Sequence, residues 1–436
     1  MKKTVKVVGG GLAGSEASLY LANHGVKVTL YDIKPKKFTP CHHSENYAEL
    51  VCSNSLKSND VFSNACGLLK EEMRILGSKI IEAADKTAVP AGRALAVNRE
   101  LFSEYITELI KSNENIELSC EEVTSIPLDE YVIIATGPLT TPDLAKEIEA
   151  LTGVCPYFFD AAAPIIDAES IDMSNAFVSD RYGDAGKGDY INCPLTKDEY
   201  DLFVSELKNA RKAELHDFEN SKVFDGCMPI EVMAERGPET LRFGPMKPTG
   251  LTDPKTGRWP YACVQLRKEN LSGESYNVVG FQTNLLFGEQ KRVLSIIPAL
   301  KNAEYFRYGV MHKNTYIKSP GVLNNDFSLL AHPNVFFAGQ MTGVEGYVES
   351  AASGLVAAIN ALRKLNDLPS VDFGNKTVIG ALANYVATPN ENFQPMNANY
   401  GLLEETEKHI RDKAKRKEEL ANRSIAIMKQ YMENEK

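Results

Sequence analysis

Thr4-Val5-Lys6-Val7-Val8-Gly9-Gly10-Gly11-Leu12-Ala13-Gly14, continued through Asn23 and into Val26-Lys27-Val28-Thr29-Leu30-Tyr31-Asp32, decides the fold. Residues 4–8 read as a short buried strand. The stretch from about Ser15 to Asn23 reads as an amphipathic helix closed by Gly25, and Val26 to Tyr31 as a second strand. Two parallel strands joined by a helix make a β-α-β unit. Gly9, Gly11 and Gly14 stand at the dinucleotide spacing. The first permits a tight turn, the second lets the backbone approach a pyrophosphate, and the third lets helix and strand pack closely. The amides around the helix start, from Gly9 and Gly10 through Leu12 and Ala13, then face the phosphates. Asp32 closes the second strand, where a carboxylate can bind ribose hydroxyls. A merely structural glycine turn is the alternative. The strand before the glycines, the helix after them and Asp32 at its station weigh against it.

Two later segments favour FAD over NAD. Tyr131-Val132-Ile133-Ile134-Ala135-Thr136-Gly137 is another buried strand ending in a glycine turn, of the kind that flavoproteins pass under the cofactor. Val335 to Gly339 is a strand, Gln340 to Gly346 a turn carrying Gly343, and an Ala-rich helix follows from about 347 to 363. Thr136, Gly137, Gly339, Gln340, Gly343 and Gly346 therefore join the candidate cofactor positions. No second glycine fingerprint exists for a docked nicotinamide nucleotide, so NADPH or NADH would come and go at the flavin face.

Between these segments, residues 34–65 read as a long polar loop, with helices at about 66–76 and 98–112. From about 155 to 300 the texture changes to short alternating runs, among them Tyr261 to Leu266 and Tyr276 to Phe281, which suggest antiparallel strands. A charged helix, roughly 403–432, ends the chain. The expected fold is α/β: a Rossmann-like FAD-binding domain of the glutathione-reductase type, residues 1–155 and 300–436. An α+β domain, residues 156–299, the expected substrate domain, is inserted into it.

The 436 residues exceed one small core, and 43% hydrophobic with 24% charged residues is a globular composition rather than a disordered one. No apolar run approaches the roughly 18 residues a membrane span needs, and the apolar stretch after Lys2-Lys3 is too short for a signal peptide. A cytoplasmic protein without a membrane partner is expected. The net charge of −10 argues mildly against nucleic acid, although a local basic face can still bind one. Eight cysteines include no Cys-x-x-Cys pair, so neither a zinc site nor a redox dithiol is expected. Cys52, in Glu49-Leu50-Val51-Cys52-Ser53-Asn54-Ser55, lies near the cofactor; Cys227, in Gly226-Cys227-Met228-Pro229-Ile230-Glu231, lies in the inserted domain. Composition alone favours a buried structural thiol for either.

The segments 11–17, 48–55, 226–234, 280–283, 288–292 and 339–350 together resemble one family, the bacterial folate- and FAD-dependent RNA uridine-5-methyltransferases. The best likeness is to the enzymes of the tRNA T-loop, and it runs to Asn392-Phe393-Gln394-Pro395-Met396-Asn397. The resemblance implies that the methylene of methylenetetrahydrofolate passes by way of reduced FAD to C5 of a uridine, with NADPH or NADH as reductant. It implies a thiolate that adds to C6 of the uracil and a base that removes the C5 proton. Cys52 is assigned as nucleophile and Cys227 as base, or the two roles are exchanged. A thiol of ordinary pKa needs a cationic neighbour or a helix N-terminus to become a thiolate, and the sequence does not show which.

The chain departs from the family pattern at Arg93, Asn98, Asn284 and Phe287, where Gly, Asp, His and Trp are usual. The departures bear on folate contacts and on the choice of RNA, so the same chemistry on a ribosomal RNA uridine stands as an alternative. A flavin-dependent NAD(P)H oxidoreductase acting on a small molecule is a second. For RNA the sequence offers Lys247, Lys255, Arg258, Lys268, Lys291, Arg292, Arg307 and Lys313, interleaved with Trp259, Tyr261 and Phe287. The run from Arg411 to Arg423 reads as a solvated helix face.

Overall fold

The computed structural model describes residues 3–39, 41–153, 155, 157–183, 187–213, 228–270, 272–391, 393–406 and 410–435. Five parallel strands form the central sheet in the order Val335–Phe337, Val132–Ile134, Thr4–Val8, Lys27–Tyr31, Ile116–Ser119. Val5, Val7, Val28, Leu30, Ile133 and Phe336 on these strands are at most 1% exposed, and Val8 5%. Such burial on both faces is what an all-parallel sheet requires.

The helix after the glycines is Leu12–Asn23, three residues earlier at its start than the sequence suggests, with Gly11 as its N-cap. It is not amphipathic. Nearly all of it is buried, because the helices Tyr347–Leu365, Lys79–Lys86 and Arg99–Lys111 cover the side expected to face solvent. Its one acidic residue, Glu16, is buried against the start of Lys79–Lys86. There it accepts from Lys79 N (2.9 Å), Ile80 N (2.9 Å) and Ser78 Oγ (2.5 Å). Burial pushes this carboxyl up to about 7 against those three donors. Glu72 does the same for helix Val378–Ala387 through Val378 N and Ile379 N, and is likewise raised to about 7.

Residues 34–65 are not wholly loop: Ser55–Ser58 pairs antiparallel with Ala94–Val97, which pairs in turn with Ala88–Val89. The strand is short and polar, so it lacks an alternating apolar signature and escapes a reading based on periodicity. The last helix is Lys413–Asn434 rather than 403–432, because Asp412 caps it by accepting from Ala414 N and Lys415 N.

A second sheet of six antiparallel strands has the order Phe177–Val178, Tyr190–Leu195, Ala262–Lys268, Ser275–Val278, Ile165–Asp167, Tyr305–Arg307. Its own core, including Tyr200, Phe203, Val264, Leu266 and Phe281, is separate from that of the parallel sheet. Among the described residues no helix is long and apolar enough to cross a membrane.

Candidate dinucleotide and thiol site

A cleft opens at the C-terminal ends of the parallel strands, about 1190 Å³ with its mouth included. Gly9, Gly10, Gly11, Leu12, Ala13, Asp32, Thr136, Gly137, Gly339 and Gln340 all line it. The glycines are there for different reasons. Gly9 has φ +105°, and a Cβ there would sit 2.5 Å from the Ala135 carbonyl oxygen. At Gly10 a Cβ would strike the Tyr47 ring at 2.3 Å, and at Gly14 the Gly9 carbonyl oxygen at 1.8 Å. At Gly11 it would meet nothing within 4 Å. The packing of the protein therefore excludes side chains at Gly9, Gly10 and Gly14, whereas the space before Gly11 is an open cradle at a helix N-terminus. Such a cradle, with donor amides and the positive end of the helix dipole, fits a pyrophosphate.

Asp32 lies at the end of Lys27–Tyr31, its carboxylate accepting from Gly10 N (2.8 Å) and Lys34 N (2.9 Å). Those bonds fix its direction and leave lone pairs for ribose hydroxyls. Gly14, Gly343 and Gly346 do not line the cleft. Gly343 (φ +89°) abuts the Phe393 ring, and Gly346 (φ +121°) makes room for the Glu349 carboxylate and Lys57 Nζ. Helix Tyr347–Leu365 starts just beyond and brings Tyr347 and Ser350 to the cleft wall. Its Gly354 packs so closely on the first helix that a Cβ would lie 2.2 Å from the Ala13 carbonyl oxygen. Two helix N-termini thus face one cavity. Among the described residues no group of three or more His, Cys, Asp or Glu could hold a metal ion.

Cys52 stands on the rim of this cleft, half-buried, one residue after the lining residue Val51. Its Sγ lies 2.9 Å from the hydroxyl of Tyr347, which also accepts from Cys52 N (2.7 Å) and Ser53 N (3.2 Å). The loop is held from three further sides. Arg99 Nη1 donates to Leu50 O (2.7 Å), Arg267 Nη2 to Ser53 Oγ (2.9 Å), and Asn54 Nδ2 to Val97 O and Lys268 O (3.1 and 2.9 Å). Arg99 is buried, which opposes its charge, but Glu269, Tyr347 and Cys52 outweigh that and hold it above its ordinary value. Burial first, and the Cys52 charge second, push the Tyr347 phenol well up, so it stays a proton donor. The cationic neighbour absent from the sequence reading is Arg99. Tyr347 was visible only as the residue after Gly346.

Cys227 lies outside the described residues; the chain is described again from Met228, where Ile230 N donates to Gln282 O (2.8 Å). Of the basic residues proposed for RNA, Lys247, Lys255 and Arg258 are exposed, as is Trp259, and Lys255 Nζ donates to Ser174 O. Arg292 is engaged by Glu206 and Glu289, and Lys268 is partly buried. Lys313 has its backbone in the strand Met311–Thr315, with its side chain outside what is described. Arg307 is partly buried and faces inward, near Arg99, Tyr347 and Glu49. Within the C-terminal run, Arg423 donates to Glu404 O and Glu405 O, and Lys417 to Ser63 O, so the helix is pinned to its own chain. Asn98 caps Arg99–Lys111 through Glu100 N and Leu101 N, as an Asp would. Asn284 donates to Ala213 O, and Phe287 stacks on Tyr308 at 4.8 Å; Arg93 is exposed.

Residues 4–369 match the family described as glucose inhibited division protein A. The chain is 56% identical over 430 residues to a protein of Acetivibrio thermocellus, covering 98% of each. That protein is named methylenetetrahydrofolate–tRNA-(uracil-5-)-methyltransferase TrmFO. It is also 56% identical over 437 residues to a protein of the same name from Staphylococcus aureus strain Newman, covering 100% of this chain and 99% of the relative. Among solved structures, GidA of Aquifex aeolicus is similar in two crystal forms, with TM-scores of 0.68 and 0.69 at 17% identity. The match covers 100% and 99% of this chain and 76% and 79% of that one. At that identity the likeness concerns the fold.

Proposed function

The chain belongs to the glucose inhibited division protein A family, beside its methylenetetrahydrofolate–tRNA-(uracil-5-)-methyltransferases, and on that premise we propose that it methylates C5 of a uridine in tRNA with a folate-derived one-carbon unit. FAD is the resident cofactor. Gly11, Leu12 and Ala13 would hold its pyrophosphate, Asp32 its ribose, and the segments at Thr136 and Gly339 its other half. When bound, the flavin supplies one-carbon and hydride chemistry, with NADPH or NADH as the proposed reductant.

The observation that carries this reading is that Tyr347 belongs to both sites: it lines the dinucleotide cleft and its hydroxyl holds the Cys52 sulfur. An oxidoreductase acting on a small molecule has no use for that pairing. In the proposed reaction the Cys52 sulfur adds to C6 of the uracil, and the electron pair displaced makes C5 a nucleophile toward the one-carbon unit. Cys227 takes the C5 proton as the one-carbon unit parts from its carrier, a hydride then completes the methyl group, and loss of the Cys52 sulfur from C6 restores the ring. We also propose a cofactor domain and an RNA domain in place of the expected limits 1–155 with 300–436 and 156–299. Two separate cores support the division, but the second takes in Leu300 and Ala303 and its sheet the strand Tyr305–Arg307, which carries the RNA domain to about residue 307.

Covalent trapping tests it. tRNA carrying 5-fluorouridine at the target should form a stable adduct with the wild-type protein and none with Cys52→Ala, while Cys227→Ala still forms one. The reverse pattern exchanges the two roles. Adducts and full methylation in both variants, with flavin retained, sink the mechanism.

A further inference from the structure

The face of the six-stranded sheet turned toward the Cys52 loop carries an unusual row. Tyr190, Arg267, Asn277, Ile165 and Arg307 stand opposite one another on adjacent strands. Directly paired residues send their side chains to the same face. Arg267 identifies that face, since it bonds Ser53 and Asn54 beside Cys52. Glu269, two residues further along and on the same side, reaches Arg99 at 3.0 Å.

Eight buried side-chain polar atoms lack a hydrogen-bond partner among the described residues, and half of them gather here: Arg99 Nη2, Glu269 Oε1, Asn277 Nδ2 and Arg307 Nη2. The 3.0 Å contact between Arg99 and Glu269 is an ion pair that leaves Arg99 Nη2 without a well-aligned bond and Glu269 Oε1 with no donor. An orphaned buried group costs roughly 1–3 kcal/mol, so four here, three on the sheet face and Arg99 on the helix against it, call for a ligand that satisfies them. Three are donors and one is a carboxylate acceptor. That set complements an edge that reads acceptor, donor, acceptor, which is the O2, N3–H, O4 edge of uracil. A pterin edge offers two adjacent donors and one acceptor, and would need a second orphaned acceptor.

We propose that this face receives the target uracil, with Glu269 Oε1 accepting from N3–H and the donors of Arg307, Asn277 and Arg99 taking the carbonyl oxygens. The proposal rests on the uridine-methylating function above and names the groups that read the base. It also has a chemical consequence. When a thiolate adds at C6, negative charge develops on O4, and a buried guanidinium stabilises it more in the transition state than in the ground state. Arg307 and Asn277 touch neither the Cys52 loop nor Arg99 by any hydrogen bond, so they separate base reading from loop positioning better than Glu269 does.

The test uses the full chain loaded with FAD and three tRNA transcripts bearing uridine, N3-methyluridine or 4-thiouridine at the target. Blocking N3–H should slow methylation by the wild type by about 10- to 100-fold. Arg307→Met should lose a similar factor on uridine, again about 10- to 100-fold, with flavin content and the RNA-free reaction with methylenetetrahydrofolate unchanged. Arg307→Lys should recover part of it, and the mutant should discriminate less against 4-thiouridine. Equal rates on uridine and N3-methyluridine, or a loss in Arg307→Met confined to the folate step, overturn the proposal. If Arg307→Met loses flavin, the N3-methyluridine result on the unaltered protein decides. A wild type that binds FAD but methylates no uridine overturns the function, and the proposal with it.

Discussion

The hydroxyl of Tyr347 lies 2.9 Å from the Cys52 sulfur while two backbone amides, those of Cys52 and Ser53, donate to its oxygen at 2.7 and 3.2 Å. A phenolic oxygen has two lone pairs and one proton. With both lone pairs engaged, its proton points to the sulfur, a contact that strengthens when the sulfur is a thiolate. The proposed nucleophile is thus held, beside the Arg99 guanidinium, by a hydrogen bond to a residue 295 positions away.

Tyr347→Phe removes that donor and leaves the two amides without an acceptor. Alkylation of Cys52 by iodoacetamide at neutral pH should slow by about tenfold, since a charge-assisted hydrogen bond favours the thiolate by at least about 1.5 kcal/mol. Methylation should fall in parallel, with flavin content retained. An unchanged alkylation rate would show that Arg99 alone sets the sulfur's reactivity.

Gly11 and Gly14 should fail in different ways. Gly11→Val should fold and lose flavin, because its Cβ would occupy the cradle and its φ of −73° suits any residue. Gly14→Ala should unfold at lower denaturant, by at least about 2 kcal/mol, because its Cβ would lie 1.8 Å from the Gly9 carbonyl oxygen. Flavin absorbance and urea titration on each variant separate the two. Flavin retained in a folded Gly11→Val would remove the pyrophosphate from this loop.

These contrasts mark what could be read from the chain itself. Glycines, Asp32 and the parallel strands declare themselves locally, because a turn, a strand end and a continuous apolar run are properties of neighbours in sequence. The antiparallel pair near 262–268 and 275–278 was legible for the same reason. The first helix was not legible as buried, since what covers it arrives from residues 79–111 and 347–365. Ser55–Ser58, polar and paired with Ala94–Val97, carries no period to read. The setting of Cys52 was beyond reach altogether: Arg99, Arg267 and Tyr347 meet it only after both sheets have folded.

Stability should fall as pH rises through neutrality. The carboxyls of Glu16 and Glu72 move from an ordinary 4.5 to about 7 on folding, chiefly through burial. The folded state therefore binds more protons between those values. The stability this contributes is complete below about 4.5 and is lost as pH rises through about 7, by up to ~3 kcal/mol for each group. Urea midpoints between pH 5 and 8 should decline for the wild type, and the decline should be shallower in Glu16→Gln. A wild-type midpoint that rises over this range, with no difference in Glu16→Gln, would show that both carboxylates stay ionised.

Thiol labelling at pH 8 should reach Cys52 well before Cys66, Cys193 or Cys263. Burial pushes the thiols of Cys66 and Cys263 up to about 11 and 12, and that of Cys193 well above its ordinary value. Replacing any of these three with Ala should cost stability without abolishing methylation. Loss of turnover in one of them, with flavin and fold intact, would add a cysteine to the mechanism.

The most direct measurement follows the carbon itself. Purified protein with FAD, NADPH and methylenetetrahydrofolate deuterated at the methylene is incubated with an unmodified tRNA transcript, and the nucleosides are analysed by mass spectrometry. The expected product is 5-methyluridine carrying both deuterons, formed without S-adenosylmethionine and absent with Cys52→Ala. Unmodified uridine throughout, from protein with a full complement of flavin, would contradict folate-dependent methylation of tRNA, as would a methyl group that arrives only from S-adenosylmethionine.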